Sequence, residues 1–191
     1  MLAIPADSSN IVGIVSIDPG STTTGISIIN VNLDTRQIHS SQAWTINTSK
    51  LVIKDAWLEN FYGNRYLRII ELEKYLIQLF NNYRPIIICA EAPFINQRFP
   101  AAGIALTEVM CSIRRAVTEY DVWCELKIIP PSSVKNGINA KGNADKDEMK
   151  RCINLLYPDL HFIGDIPFEL LDEHSVDAIA VGYTVYRSII S

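Results

Sequence analysis

Three apolar runs rich in β-branched residues, at positions 11–17, 25–31 and 37–46, follow one another before any helical pattern begins. The spacers between them are short and turn-like: Asp18-Pro19-Gly20 closes the first run, and Asn/Asp-containing residues 32–36 separate the second from the third. Consecutive strands on such short connections form an antiparallel meander, because a parallel crossover needs a dozen residues or more. The pattern then changes. Residues 58–83 carry Leu67, Ile70, Leu72, Tyr75, Leu76, Leu79 and Phe80 at helical spacing, and Pro85 stops that helix. A buried strand is expected at 86–91 and a helix at 101–120, with Ile104, Val109, Met110, Ile113 and Val117 as its apolar stripe. A fifth strand at 125–129 is closed by Pro130-Pro131. Ser132 is read as the cap of a short helix through Lys135, and residues 137–144 as a polar loop. Asp145 caps a helix at 146–156, Pro158 and Pro167 mark a loop, and a last helix spans 173–190. The order predicts an α/β fold: a mixed five-stranded sheet with three antiparallel strands continued by parallel ones, flanked by helices. The 191 residues are read as one domain, with residues 1–10 as a flexible N-terminus.

Composition narrows the function. Hydrophobic residues make up 48%, which excludes a disordered chain, and no apolar run approaches the roughly 20 residues of a membrane span. Residues 1–10 lack a basic region and read as neither a signal nor a transit peptide. Cys89, Cys111, Cys124 and Cys152 are scattered with no CxxC pair, which argues against zinc. They read as ordinary small hydrophobes of a reduced, intracellular, cytoplasmic setting. Net charge is −4, on its face unsuited to nucleic acid, but its distribution is uneven. Residues 84–151 hold ten basic against eight acidic side chains, whereas residues 152–191 hold one against six.

Among the acids, Asp18 and Glu91 each end an apolar strand. A carboxylate there is held rigidly at the end of the sheet and suits a metal ligand. Asp-Pro-Gly is also good turn chemistry, and Glu91 can simply be a solvated strand end. Asp177 lies three residues after His174, so the two share a helix face, and Glu173 at i, i+4 can join them. Acids in a first helical turn also complement the helix dipole. That accounts for one acid but not for two more at strand ends of one sheet. In the expected fold Asp18, Glu91 and Asp177 converge. Clustered carboxylates repel unless cations neutralise them, and oxygen-rich sites favour Mg²⁺ or Mn²⁺. Two such ions about 4 Å apart suit phosphodiester hydrolysis.

Four segments, running from Ile14 to about Val185, together resemble the RuvC family of Holliday junction resolvases, on the RNase H-like fold. Ile17-Asp18-Pro19-Gly20-Ser21, with Gly25 after it, resembles the family's first catalytic segment, and Glu91-Ala92-Pro93-Phe94 its second. The resemblance implies that Glu91 binds metal and that Phe94 inserts at the junction centre and unstacks bases. Lys135 and Lys146 match a pair of lysines that contact DNA near the scissile phosphate. Asp177-Ala178-Ile179-Ala180 resembles the last catalytic segment, where the family places another acid three positions earlier; here that position is His174, as in some members. The implied catalytic and metal-ligating set is Asp18, Glu91, His174 and Asp177, with Glu173 in support and two Mg²⁺ or Mn²⁺ ions. The implied partners are branched DNA with a four-way junction and a second copy of the chain, which meets it through residues 101–120, with Ile104, Met110 and Ile113 as contacts or as core. Arg114, Arg115, Lys127, Lys141, Lys150 and Arg151 are candidate phosphate contacts or solvated surface charges.

The expected activity is that of a crossover junction endodeoxyribonuclease making paired symmetric nicks in DNA recombination and repair. The same carboxylates would serve a less selective fork, flap or branched-DNA endonuclease, or a hydrolase of RNA:DNA hybrids. Two other classes compete. Asp18-Pro-Gly-Ser-Thr-Thr-Thr-Gly also resembles the phosphate loop of sugar kinases and actin-like ATPases, but those bind nucleotide between two such domains and this chain has room for one. A non-catalytic junction-binding protein fits His174 but not the retention of three acids.

Overall fold

A computed structural model of the chain describes residues 10–52, 55–93 and 100–190. Residues 1–9, expected to form most of a flexible N-terminus, lie outside the described residues. Strands β1 (Ile11–Asp18), β2 (Thr23–Asn32) and β3 (Gln37–Asn47) form the expected meander. β4 (Ile87–Glu91) then pairs parallel with β1, and β5 (Glu125–Ile129) parallel with β4, giving the order β3-β2-β1-β4-β5.

Side chains alternate across a strand, so this sheet has two unlike faces. Val15, Ile17, Ile88 and Ala90 point to one face and are wholly buried. They pack under α2 (Asn64–Tyr83) and α3 (Pro100–Tyr120). Ile14 and Cys89 point to the other face, under α4 (Pro131–Gly137), α5 (Lys146–Leu160) and α6 (Glu173–Ile190). α6 lies closest to the sheet. A Cβ on Gly182 would stand 2.5 Å from Ser16 Oγ. That hydroxyl, itself buried, donates to the Ala178 carbonyl at 2.8 Å.

Five local expectations are corrected. The helix expected over 58–83 is two, α1 (Ala56–Tyr62) and α2, divided at Gly63. Gly63 has φ 78°, a left-handed value that glycine adopts without steric cost. The buried stripe of α2 is Ile69, Leu72, Leu76, Leu79 and Phe80, leaving Leu67, Ile70 and Tyr75 half-buried. Ser132 does not cap α4: the extended Pro130 occupies the cap position and Pro131 opens the helix, where its missing N–H costs nothing. α5 continues past residue 156 to Leu160, taking Pro158 into its last turn, while Asp145 caps it through Glu148 N as expected. In α3, Val109, Met110, Ile113 and Val117 are buried in the chain's own core, whereas Ile104 is 58% exposed.

Candidate metal centre and nucleic-acid interface

The site is built at the ends of two adjacent parallel strands. Ile17 pairs with Ala90 across β1 and β4, so the next residues, Asp18 and Glu91, stand side by side, with neighbouring strands about 4.8 Å apart. Both fall on the face covered by α6, because their strand neighbours Ile17 and Ala90 point into the opposite core. The first turns of α6 bring Asp177 and His174 to the same place. The approach is close: a Cβ on Gly25 would fall 2.0 Å from the His174 carbonyl oxygen and 3.2 Å from Asp18 Cβ. Gly25 is the residue paired with Asp18 in the β1–β2 register, so its missing side chain is what lets α6 come down over the carboxylate.

The start of α6 is fixed by its own polar network. Asp172 accepts from Ser175 N at 2.9 Å and from Thr45 Oγ1 on β3 at 2.6 Å. Burial opposes ionisation of Asp172, but these hydrogen bonds, with Ser175 and His174 nearby, hold its carboxyl below the usual range. Capped this way, the positive end of the helix dipole faces the acids.

Burial, reinforced by the charges of Asp18 and Asp177, pushes Glu91 up to about 7 against the opposing pull of Lys135. Burial and Asp18 push Asp177 up to about 6, opposed by Lys146 and His174. His174 Nδ1 meets Asp18 Oδ2 at 2.8 Å and His174 Nε2 meets Thr23 Oγ1 at 2.9 Å. The contact with Asp18 raises the imidazole pKa, with burial opposing. Glu173 pairs with Lys146, which holds its carboxyl low, and lies 3.8 Å from His174 Nε2.

Among the described residues, no three His, Cys, Asp or Glu side chains are gathered tightly enough to enclose an ion. The donor set nevertheless fits a hard divalent cation: Asp18, Glu91 and Asp177 offer oxygens, the charges of Asp18 and Asp177 oppose ionisation of Glu91, and that of Asp18 opposes ionisation of Asp177. Two clefts reach these acids. One of about 450 Å³ is lined by Asp18, Glu91, Leu106 and Lys135, and one of about 220 Å³ by Glu91, Lys135, Lys146 and Asp177. Glu91 and Lys135 line both, so the two clefts adjoin, and between them they are bordered by the three acids and by both lysines singled out in the sequence.

The other expected DNA contacts are placed differently. Lys135 Nζ donates to the carbonyls of Ala144 at 2.9 Å and Gly142 at 3.2 Å, closing the loop that also carries the exposed Lys141. Arg114 is exposed on α3, while the adjacent Arg115 reaches Glu73 of α2 at 2.9 Å from Nε. Phe94 lies outside the described residues. Sequence reasoning gave no role to Thr23, to the Asp172 cap or to the close approach at Gly25. The Asp172 cap had a legible signal, a cap-type residue just before a helix.

Sheet order, site position and the helix crossing it define an RNase H-like fold with a carboxylate-lined end. The particular likeness is to RuvC. The crossover junction endodeoxyribonuclease RuvC of Christiangramia forsetii is 27% identical over 164 residues, covering 82% of this chain and 71% of that protein. The RuvC of Parvibaculum lavamentivorans is 24% identical over 174 residues, covering 87% and 82%. In structure, T. thermophilus RuvC in complex with Holliday junction substrate matches with a TM-score of 0.65 at 14% identity, covering 94% of this chain and 96% of that one. The yeast mitochondrial Holliday junction resolvase matches with a TM-score of 0.61 at 10% identity, covering 98% and 82%. No family model matches the chain.

Proposed function

We propose that this protein is a structure-specific DNA endonuclease that resolves Holliday junctions by paired, symmetric nicks dependent on a divalent metal, in DNA recombination and repair inside the cell. The observation that carries the reading is the register of Asp18 and Glu91 at the ends of neighbouring parallel strands, facing Asp177 on α6. Such a set holds Mg²⁺ or Mn²⁺, two ions per site, which supply Lewis acidity and an activated water for phosphodiester hydrolysis. Asp18, Glu91 and Asp177 hold and neutralise the ions. His174, whose Nδ1 lies 2.8 Å from Asp18 Oδ2, completes the ligand set. Lys135 and Lys146, beside the acids, meet the scissile phosphate, and Lys141 and Arg114 take phosphates further along the arms. Phe94, three residues beyond Glu91, serves to unstack bases at the junction centre.

A four-way junction has near two-fold symmetry, and two opposed nicks require two sites, so the reading includes a C2 homodimer. Met110 and Ile113 are committed to the monomer core. The self-contact is therefore assigned to Ile104 with Phe61, Tyr62 and Tyr66, which are 58%, 67%, 55% and 50% exposed. These surfaces adjoin, since Arg65 of α2 pairs with Glu108, one turn after Ile104, at 3.0 Å. α1 buries none of its own residues, as expected of a helix whose partner is another molecule.

The test is cleavage of a synthetic four-way junction labelled on each strand, beside linear duplex, a fork and an RNA:DNA hybrid, with Mg²⁺, Mn²⁺ or EDTA. Paired nicks at symmetric positions on opposing strands, lost in EDTA, are expected. Equal cutting of forks would point instead to a general branched-DNA nuclease, and binding without cutting to a junction-binding protein.

A further inference from the structure

The turn between β1 and β2 leaves Asp18 through Ser21 and Thr22, and it is held from within. Thr48, buried just after β3, donates its N–H to the Thr22 carbonyl at 2.9 Å, and its hydroxyl meets the Ser21 and Thr22 carbonyls at 3.0 Å. Thr24 Oγ1 donates to the Gly20 carbonyl at 2.8 Å. The turn's carbonyls are thus tied inward, while Thr22 itself is exposed. Arg68 of α2 reaches that residue, Nη1 donating to Thr22 Oγ1 at 3.2 Å. This is one bond for a group with five N–H donors. Arg68 Nε is buried and has no hydrogen-bond partner. Neighbouring cations on this side of the sheet are spent otherwise: Arg65 pairs with Glu108, Lys74 with Glu71 and Arg115 with Glu73. Arg68 meets no carboxylate among the described residues. A half-buried guanidinium short of acceptors is costly. The turn does not need it, since Thr48 and Thr24 already fix three of its carbonyls. The Thr22 hydroxyl, accepting from Arg68, keeps its own proton to donate. Charge and donors therefore stand together beside the Asp18 turn with an anion's place open, and a phosphate matches a guanidinium in both charge and shape.

We propose that Arg68 and Thr22 form a phosphate seat for the backbone of the bound DNA, across the acids from Lys135 and Lys146. The two lysines come from α4 and α5, on the α6 face of the sheet, whereas Arg68 comes from α2 on the opposite face. Cations then flank the carboxylates from both sides. The assignment rests on the nucleic-acid reading above and adds a contact to it.

Fluorescence anisotropy of a labelled four-way junction in EDTA, over a range of salt, measures binding without metal or cleavage. Arg68→Gln removes the charge. It should reduce the slope of log K against log salt by about 0.9, which is about an eightfold loss of affinity at 0.1 M salt. Arg68→Lys keeps the charge and should keep the slope. Thr22→Ala removes only a neutral group and should keep it too. Thermal unfolding checks that each variant is folded. Should Arg68→Gln fail to fold, the Arg68 Nε–H resonance of the parent decides, since it should move when the junction is added. A folded Arg68→Gln with the parent's slope, equal slope losses in Arg68→Gln and Thr22→Ala, or an Nε–H resonance unmoved by DNA would overturn the proposal. If the parent binds the junction and Arg68→Gln matches it, only this seat fails. A parent that binds no DNA would overturn the seat and the reading beneath it together.

Discussion

The two faces of the sheet are built from the same strands and do opposite things. On the α2–α3 face, Val15, Ile17, Ile88 and Ala90 are wholly buried in an apolar core up to the strand ends. On the α6 face the core formed by Ile14 and Cys89 stops short, and the last residues facing that way are Asp18 and Glu91. Strand alternation alone therefore separates stability from chemistry. The residue next to each acid in the chain anchors the strand, and the acid itself is free to be costly. The cost is visible in Glu91 and Asp177, whose ionisation is opposed by burial and by neighbouring carboxylates. On the proposed reading, such acids are kept despite their cost to the metal-free fold because they would hold the metal.

Asp18→Asn is the severest way to test this separation. Cleavage should fall by about a thousandfold or more, as when a group acting only in the transition state is removed, while junction binding stays intact. A gel-shift and cleavage pair measures both, and parent-like cutting would remove Asp18 from the site. On the other face, Ile88→Ala should cost about 2–5 kcal/mol in urea unfolding, the usual range for a fully buried aliphatic. Its rate per folded molecule should hold; a specific loss of cleavage would show that the two faces are not separable. Gly25→Ala should blur the comparison. Its Cβ would strike the His174 carbonyl, so both stability, by about 1–3 kcal/mol, and cleavage should fall together.

The subtlest test is pH. Glu91 is pushed up to about 7 in the fold, from the ordinary carboxylate range near 4.5. A carboxyl raised on folding favours the folded state when protonated, and that contribution is lost as pH rises from about 4.5 through about 7. In metal-free protein, Glu91→Gln should therefore flatten the decline in Tm between pH 5 and 8 and raise Tm at pH 8. Added Mg²⁺ should stabilise the parent at pH 8 and not the variant. A Tm profile parallel to the parent's would mean that Glu91 is not strained by its neighbours.

Much of this was legible in the chain because strand and turn chemistry are local. The meander, β4, β5 and the end-of-strand positions of Asp18 and Glu91 follow from apolar runs and their punctuation. The Gly63 break had its signal too, a Gly-Asn step within a helical pattern, but the apolar periodicity on either side masked it. Thr23, Arg115 and Met110 were beyond reach for another reason. Their roles depend on what another element brings opposite them: His174 from α6, Glu73 from α2, and the sheet itself. Sequence spacing says which face a residue takes, but not what waits across the gap.

The central claim is that three carboxylates from β1, β4 and α6 form one metal site, and calorimetric titration of Mn²⁺ at pH 7.5 tests it most directly. Parent protein would be compared with Asp18→Asn, Glu91→Gln and Asp177→Asn. Each single substitution should weaken binding sharply, and all three should act on the same binding event. Parent-like affinity in any one of the three would take that residue out of the site, and parent-like affinity in all three would contradict the account.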